Sequence, residues 1–589
     1  MRTDFFTTLL LAAAPAVALS IVRDGSATPA RRVEARQTCT NDDSKLCWDG
    51  TYDVDTDYYT SGPRTGRVVE YTLELQNVTL APDGRSRQVL AYNGQIPAPT
   101  ITANWGDTIR VTLKNAAQHN GTGIHWHGIR MLNNFKNDGV NGVTECPIAP
   151  GDEKVYEFIA EQYGTSWYHS HYSAQYGDGA WGAVVINGPA TAEYDIDLGP
   201  VTVSDWFALQ TAYQKAYAAE RGGPPVPDNF LVGGKNVNPS NTTQGERFKL
   251  TFTPGKKHLI RLINTSVDTF FRVSLDGHNM TVVQSDFVPV TPYTTSSVGL
   301  AIGQRYNVII EANTDTPSNY WLRTYAEATC GRNTNDGSGT ANAYVTYTGA
   351  TDAVPTTSPN ANIPTTCSDE ASIVPHVLIN IDSSGFSANE TVLNVTGPTR
   401  VTESGSSVFR WAIGSATPMS IDFTNPTVSM VQSNSVVPAA YNALNIDAGS
   451  TATAYWMIQN IGGVAHPIHL HLHDFNVIST GTGTFNAATA TLNWVNPPRR
   501  DVAMLPANGY LFIAFKTDNP GIALMHCHIA WHVSEGLSLQ LIERQSEIDF
   551  TAFDSDWQTT CDNFDTWYNS ASNVYGPKTD SGLRLRSNF

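Results

Sequence analysis

The stretch "PANGYLFIAFKTDNPGIALMHCH", residues 506–528, follows the same pattern as "PGDEKVYEFIAEQYGTSWYHSH", residues 150–171. Both contain Tyr-x-Phe-Ile-Ala and, further on, Gly-x4-His-x-His. A weaker copy, "IGQRYNVIIEANTDTPSNYWLR" at residues 302–323, keeps the strand and turn pattern but has no histidine. Three copies of one unit predict three homologous domains, the middle of which is a spacer without metal ligands.

Residues 71–76, "YTLELQ", and 108–115, "TIRVTLKN", alternate apolar and polar side chains. This is the period of a half-buried strand. Long helical periodicity is scarce, whereas Gly, Pro, Asn and Asp recur at short intervals. The pattern predicts an all-β protein of sandwich domains. The segment 351–372, which is rich in Pro, Thr and Ser, predicts a linker into the third domain.

The first residues predict export. Arg2 precedes an apolar run that ends in the small residues Ala16 and Ala18, so residues 1–18 are interpreted as a signal peptide. Residues 19–36 carry a basic pair, Arg31-Arg32, end in Arg36 and resemble a propeptide. No other run approaches the roughly 18 apolar residues of a membrane span. Seven glycosylation sequons fit a secreted, extracellular glycoprotein: Asn77, Asn120, Asn241, Asn264, Asn279, Asn389 and Asn394.

The formal net charge is −18, and the sequence has no cluster of Lys or Arg. This charge pattern argues against nucleic acid and anionic membranes as partners. Small neutral or cationic molecules are the expected partners, and we expect a monomer.

Seven cysteines leave one thiol unpaired after three disulfides. Cys527 is the candidate, because it stands between His526 and His528. A buried, inert thiol is the alternative interpretation. The flanking histidines favour a metal ligand instead.

Four His-x-His pairs occur in the chain, and alternation along a strand points both imidazoles of a pair to one face. A single zinc ion would use four ligands. Eight imidazoles without carboxylates suit about three ions, with copper as the leading candidate. The pairs are His125/His127, His169/His171, His469/His471 and His526/His528.

The same alternation turns Cys527 away from this cluster. His466 precedes His469 by an odd offset and also faces away, and His532 follows Cys527 closely. Two imidazoles and a thiolate are the ligands of a blue-copper electron-transfer site. Leu537 occupies the position at which such sites usually have an axial Met. His473 is expected to support the cluster without binding an ion.

The blocks "HWHG", "HSH", "HPIHLH" and "HCHIAWH" resemble the four signatures of the multicopper oxidases, and in particular of the secreted laccases of ascomycete fungi. The resemblance covers nearly the whole mature chain. It implies three consecutive cupredoxin-like Greek-key β-sandwich domains at 37–195, 196–350 and 373–562, a tail at 563–583 and a removed extension at 584–589. It also implies the disulfides Cys39–Cys47, Cys146–Cys561 and Cys330–Cys367.

The resemblance further implies four copper ions. The type 1 ligands would be His466, Cys527 and His532, and the type 2 ligands His125 and His469. The type 3 pair would be held by His127, His169, His171, His471, His526 and His528. One departure is Leu472, where the family often has Gly, and we expect it to have little functional consequence.

Such an enzyme oxidises phenols and aromatic amines one electron at a time and reduces O₂ to two waters. Asp107 resembles the family's carboxylate near the type 2 copper, and Glu246 aligns with its substrate-pocket carboxylate. The alternative roles are a turn cap for Asp107 and a solvated charge for Glu246.

A ferroxidase, a bilirubin- or ascorbate-type oxidase and a non-catalytic copper-binding protein are the alternative functions. Tannins, pigment precursors and lignin-derived phenols are all open as substrates.

Overall fold

The structure is a computed structural model. It describes residues 39–313, 318–327, 330, 340–386, 391–403, 405–447, 449 and 452–570. The predicted signal peptide 1–18, the propeptide 19–36, the sequon at Asn389 and the C-terminal extension 584–589 lie outside the described residues.

The chain is built mainly from β-strands. The first domain contains β1 Val68–Leu80, β2 Arg87–Tyr92, β3 Ala98–Asn104, β4 Thr108–Asn115, β5 Ile124–Trp126, β6 Glu153–Ile159, β7 Gly164–Ser170 and β8 Trp181–Asn187. These strands form two sheets, in the orders β2-β1-β4-β6 and β3-β8-β7-β5. β4 buries Ile109, Val111 and Leu113 and turns the residues between them outward, as the alternation predicted.

The second domain contains β9 Ile196–Trp206, β10 Asn229–Val232, β11 Val237–Asn238, β12 Asn241–Gly245, β13 Lys249–Phe252, β14 Lys257–Asn264, β15 Phe271–Leu275, β16 Met280–Ser285, β17 Val288–Thr295, β18 Val298–Leu300, β19 Arg305–Glu311, β20 Asn319–Ala326 and β21 Thr340–Tyr347. Its two main sheets have the orders β10-β9-β14-β19-β16-β17 and β13-β21-β20-β15-β18. Helix α1, Ala212–Gly222, follows β9 and begins with a capping box at Thr211 and Gln214.

The third domain contains β22 Val392–Glu403, β23 Ser406–Ile413, β24 Ala443–Ile446, β25 Thr453–Asn460, β26 His466–Leu470, β27 Phe475–Thr482, β28 Arg499–Arg500, β29 Val502–Leu505, β30 Gly509–Lys516, β31 Gly521–Cys527 and β32 Ser538–Glu543. Its sheets have the orders β23-β22-β25-β30-β27-β28 and β24-β32-β31-β26-β29. The helices are α2 Thr427–Gln432, α3 Ala530–Ser534 and α4 Ser555–Tyr568. The prediction of an all-β protein with three sandwich domains is confirmed.

The three implied disulfides are present: Cys39–Cys47, Cys146–Cys561 and Cys330–Cys367. Cys146–Cys561 joins the first domain to α4, across 415 positions of sequence. Cys527 has a free thiol and is buried. No helix within the described ranges has both the length and the apolar character needed to cross a membrane.

One sequon, that of Asn264, cannot carry a glycan in this fold. The side-chain amide of Asn264 is buried and donates hydrogen bonds to the carbonyl oxygens of Thr269 and Leu300, at 2.8 Å and 2.9 Å. These bonds occupy the nitrogen that would carry the sugar. Asn264 is therefore a structural residue at the end of β14.

Candidate metal centre

His466, Cys527 and His532 converge at one buried point of the third domain. His466 begins β26, Cys527 ends the neighbouring strand β31, and His532 lies in α3, the short helix that follows. The Cys527 Sγ lies 3.5 Å from the His466 Nδ1 and 3.6 Å from the His532 Nδ1. The indole of Trp411 packs against both rings, with centroid separations of 4.9 Å and 4.5 Å. This arrangement offers a metal ion two imidazole nitrogens and one sulfur.

Burial sets the protonation of this group. It lowers the pKa of His466 to about 3, and it lowers the pKa of His532 well below the usual value. Both imidazoles are therefore neutral and can bind a metal. Burial raises the pKa of the Cys527 thiol, so metal binding there must release a proton.

Eight histidines converge where the first and third domains meet. Facing nitrogens are 3.4 Å apart for His125 and His469, 3.2 Å for His471 and His526, and 3.3 Å for His127 and His528. The rings of His169 and His171 complete the group, with centroids 5.4 Å and 5.6 Å from that of His125. The histidine pairs found in the sequence are thus brought together.

The spacing of these nitrogens suits metal ions. A nitrogen ligand lies about 2.0–2.1 Å from a bound ion, so two ligands of one ion are about 3.3 Å apart. Burial and then the neighbouring imidazoles lower the pKa of His469 and His471 well below the usual value. Burial likewise lowers the pKa of His526 to about 4. Neutral imidazoles that face each other in this way fit nitrogen-preferring ions such as copper.

Backbone carbonyls fix the orientation of four of the rings. In each, Nδ1 donates to a carbonyl oxygen, which leaves Nε2 free for an ion. The acceptors are Asp138 for His125 at 2.9 Å, Asp501 for His469 at 2.8 Å, Cys527 for His526 at 2.9 Å and Ser170 for His169 at 3.0 Å.

His127 has the opposite orientation. Its Nε2 lies 3.1 Å from the Asp501 Oδ1, and its Nδ1 faces His528. A side-chain carboxylate therefore decides which nitrogen of His127 is available to an ion.

None of the described hydrogen bonds or ion pairs joins the Asp107 carboxylate to a histidine of the cluster. Its carboxylate accepts hydrogen bonds from the Asn104 backbone at 2.9 Å and from the Thr65 hydroxyl at 2.6 Å. Asp107 therefore caps the turn before β4, which was the alternative interpretation of its strand-start position.

Besides that of Asp501, a second carboxylate at the cluster is that of Asp138, which no sequence pattern indicated. Its Oδ2 lies 2.9 Å from the Nδ1 of His471, and its Oδ1 lies 3.2 Å from the Nδ1 of His125. Asp138 follows the "HWHG" block in "KNDGVNG", within a loop that has no strand period to predict its direction.

Within the described residues, no hydrogen bond or ion pair joins Glu246 to the type 1 group. Its side chain is 69% exposed and pairs with the Lys235 Nζ at 2.5 Å. It behaves as the solvated surface charge that was the alternative interpretation.

Asp268 is a carboxylate near Cys527 that no sequence pattern indicated. Its turn packs against α3, because the Ala530 backbone N–H donates to the Val267 carbonyl at 2.8 Å. After burial, the charge of Asp268 is a further cause that raises the pKa of the Cys527 thiol. Asp205 holds this turn by accepting from the backbone N–H groups of Val267 and Asp268, at 3.0 Å and 2.9 Å.

The backbone at Leu472 ends the strand alternation after β26, since its φ is +66°, in the region that favours glycine. His473 therefore turns away from the cluster, and its Nε2 lies 2.9 Å from Glu543. Its Nδ1 donates to the His471 carbonyl at 3.1 Å, which is the supporting position expected for it.

Leu537 is buried beside the type 1 group. Its carbonyl accepts from the Cys527 N–H at 3.1 Å, and its own N–H donates to the His532 carbonyl at 2.9 Å. Leu537 thus ties two members of the group together through the backbone, and its side chain offers no ligand atom.

Family profiles described as multicopper oxidase match residues 74–191, 197–350 and 413–547. Laccase-2 of Botryotinia fuckeliana is 42% identical over 578 residues, which cover 95% of this chain and 96% of the relative. A laccase of Cryphonectria parasitica is 44% identical over 87% of this chain and 89% of its own.

The crystal structure of a laccase from Botrytis aclada matches with a TM-score of 0.84 and 41% identity, over 91% of this chain and 98% of that chain. This match confirms the cupredoxin-like fold. Together with the profile matches, it also implies copper as the metal. The chain therefore belongs to the multicopper oxidase family, as an oxidoreductase of the laccase type.

Proposed function

We propose that the protein is a secreted laccase that oxidises phenols or aromatic amines beside His466 and His532 and reduces O₂ to two waters at the eight-histidine cluster. When bound, four copper ions would supply the redox chemistry, one at the type 1 group and three at the cluster. His125 and His469 would hold the type 2 ion. His127, His169, His171, His471, His526 and His528 would hold the type 3 pair.

The observation that carries this proposal is the placement of Cys527 between His526 and His528. The thiol faces His466 and His532, while its two neighbours face the cluster. One peptide unit on either side of Cys527 thus connects the two groups covalently. An electron delivered at the substrate side has a through-bond path to the place where O₂ would be reduced.

Phenol oxidation also releases a proton, which needs an acceptor near the substrate. Asp268 lies beside Cys527 and α3, and its turn is held by Asp205. We assign Asp268 as the group that accepts the phenolic proton, in place of Glu246.

Secretion is part of the proposal. The predicted signal peptide supports it, and so do the three disulfides, which persist in oxidising compartments. Small aromatic substrates and O₂ are the proposed partners.

The test is oxygen consumption by the copper-loaded protein with a panel of phenols, an aromatic amine and Fe(II). A laccase consumes oxygen with the phenols and the amine. Strong preference for Fe(II) would indicate a ferroxidase instead. Full copper loading without oxygen consumption on any substrate would contradict an enzymatic function.

A further inference from the structure

A turn of the second domain lies directly on the histidine cluster, although this domain supplies none of the histidines. A Cβ atom added to Gly303 would lie 2.8 Å from the His127 Cε1 and 3.1 Å from the His528 Cδ2. No side chain fits there, and the φ of +83° at Gly303 also favours glycine. The repeat unit of the second domain, residues 302–323, thus contacts the cluster although it contains no histidine.

Arg305, which begins β19, continues this contact. Its guanidinium donates to both carboxylate oxygens of Asp501, at 2.6 Å and 2.7 Å, and its Nε donates to the Thr165 carbonyl at 3.1 Å. Arg305 therefore joins the third domain to β7, the strand of the first domain that carries His169. The side chains of Arg305 and Asp501 are both fully buried.

Asp501 in turn contacts two cluster histidines. Its carboxylate lies 3.1 Å from the His127 Nε2, and its backbone carbonyl accepts from the His469 Nδ1 at 2.8 Å. The Arg305 fork matches a carboxylate in two parallel hydrogen bonds, so it fixes the plane of the Asp501 carboxylate as well as its position. That plane determines where His127 is held.

The charges around Arg305 balance within a small buried group. Asp286 accepts from the Arg305 backbone N–H at 3.0 Å, and its other carboxylate oxygen accepts from the Arg500 Nε at 3.1 Å. Two arginines thus offset two fully buried aspartates, one of each from the second domain and one of each from the third, and Arg500 also pairs at 3.3 Å with Asp369, which is partly exposed. A buried charge needs such a partner, so the group requires both domains to be docked.

We propose that Arg305 is a positioning residue of the trinuclear copper site, which holds Asp501 and thereby selects Nδ1 as the nitrogen that His127 presents to copper. The second domain is accordingly a structural part of this site rather than a spacer. The inference rests on the proposed function, since it concerns the copper that the cluster would bind.

The test compares Arg305→Lys with wild type. Lysine keeps the charge but cannot form the two parallel bonds. We expect the blue type 1 band to persist, and anaerobic substrate to bleach it as in wild type. We expect copper affinity at the cluster, oxygen consumption or both to fall by up to about 10- to 100-fold, the range typical for loss of a direct partner of a metal-binding histidine, because Arg305 holds such a partner, Asp501. The type 2 electron paramagnetic resonance signal and the near-ultraviolet band of the type 3 pair should change with them.

Arg323→Lys is the matched control. Arg323 lies in the same domain and also forms two hydrogen bonds to one carboxylate, from its Nε and one terminal nitrogen to the two carboxylate oxygens of Asp276, both at 2.8 Å, but it has no described contact with the cluster. We expect this variant to keep its copper content and both cluster signals.

Asp501→Asn is the second variant. It tests the same contact between Arg305, Asp501 and His127 if Arg305→Lys is not secreted. Unchanged copper content and cluster signals in a folded, blue variant would overturn the proposal. So would loss of the type 1 band in both variants, because this would show a role in the whole fold. Failure of the proposed function is distinguishable, since the wild-type protein would then lack the blue band or oxygen consumption itself.

Discussion

The two candidate copper sites differ in how much of the chain each needs. The type 1 group comes from one domain, and its histidines His466 and His532 are 66 positions apart. The histidines of the cluster come from two domains, and the facing pair His125 and His469 is 344 positions apart. The first group can form when a single sandwich folds, whereas the second requires domains to dock. Substitutions should therefore be able to damage one site and spare the other.

The largest effect is expected from Cys527→Ser. A serine hydroxyl does not replace the thiolate as a copper ligand, so the blue absorption and phenol oxidation should be lost completely. The eight histidines are unchanged, and the variant should keep the copper signals of the cluster. Absorption spectra and copper analysis check this. A blue Cys527→Ser protein would contradict the type 1 assignment.

A second comparison concerns the cluster and uses Asp138→Asn with Asp107→Asn as its control. Asp138 contacts His125 and His471, so its substitution should weaken cluster copper binding or oxygen consumption about 10- to 100-fold and leave the blue band intact. Asp107 accepts hydrogen bonds from the Asn104 backbone and from the Thr65 hydroxyl and has no described contact with a cluster histidine, so Asp107→Asn should cost about 1–3 kcal/mol of stability without a spectral change.

Copper titration and thermal unfolding of both variants distinguish these outcomes. Equal effects of the two substitutions on copper binding would show that Asp138 has no specific role at the cluster. A cluster defect confined to Asp107→Asn would restore the role that its sequence context suggested.

The positions of His466 and of the eight cluster histidines could be predicted from the sequence because these residues lie on or next to strands. Alternation placed His526 and His528 opposite Cys527, and the structure has them so. His466 precedes His469 by an odd number of residues. The alternation therefore turns it to the opposite face of the strand, which is the face that Cys527 occupies. A period of two is a property of the extended backbone and does not depend on the rest of the fold.

The carboxylates and the arginine could not be predicted in this way. Asp138 lies in a loop and Asp268 in a turn, where no period relates side-chain direction to sequence. Arg305 lies at a strand start, but its partner Asp501 is 196 positions away and in another domain. Contacts of this kind arise from domain docking, which a strand pattern does not encode. Asp107 and Glu246 were placed at the sites by resemblance of local sequence alone.

A third, smaller effect is expected from Asp268→Asn, compared with Glu246→Gln. Asp268 lies beside the type 1 group, so Asp268→Asn should oxidise phenols about 10-fold more slowly at neutral pH. This decrease in rate is smaller than the decrease expected when a fully sequestered general base is removed. An electron donor that releases no proton should react at the wild-type rate. Glu246→Gln should change neither rate, because Glu246 is exposed and paired with Lys235.

Steady-state kinetics with the two classes of donor check this prediction. Slower reaction of both donors in Asp268→Asn would indicate a disturbed electron-transfer site instead of a lost proton acceptor. A defect in Glu246→Gln that is specific to phenols would favour the assignment made from sequence.

The smallest effect is expected from Leu537→Met, which changes the surroundings of the type 1 group without removing a ligand. Leu537 is buried and tied to Cys527 and His532 through its backbone, and its side chain offers no ligand atom. A methionine of similar volume should be accommodated at a cost below about 1.5 kcal/mol. Its sulfur can act as a weak axial donor, which stabilises Cu(II) relative to Cu(I) and lowers the potential. A loss of about 1.4 kcal/mol in driving force slows electron transfer by tenfold at most, and electron-poor phenols should be affected first.

Leu537→Ile is the control, because it exchanges one apolar side chain for another. A redox titration should show a lower potential for Leu537→Met than for Leu537→Ile, with cluster signals unchanged in both. An equal or higher potential in Leu537→Met would mean that the side chain at this position does not reach the copper.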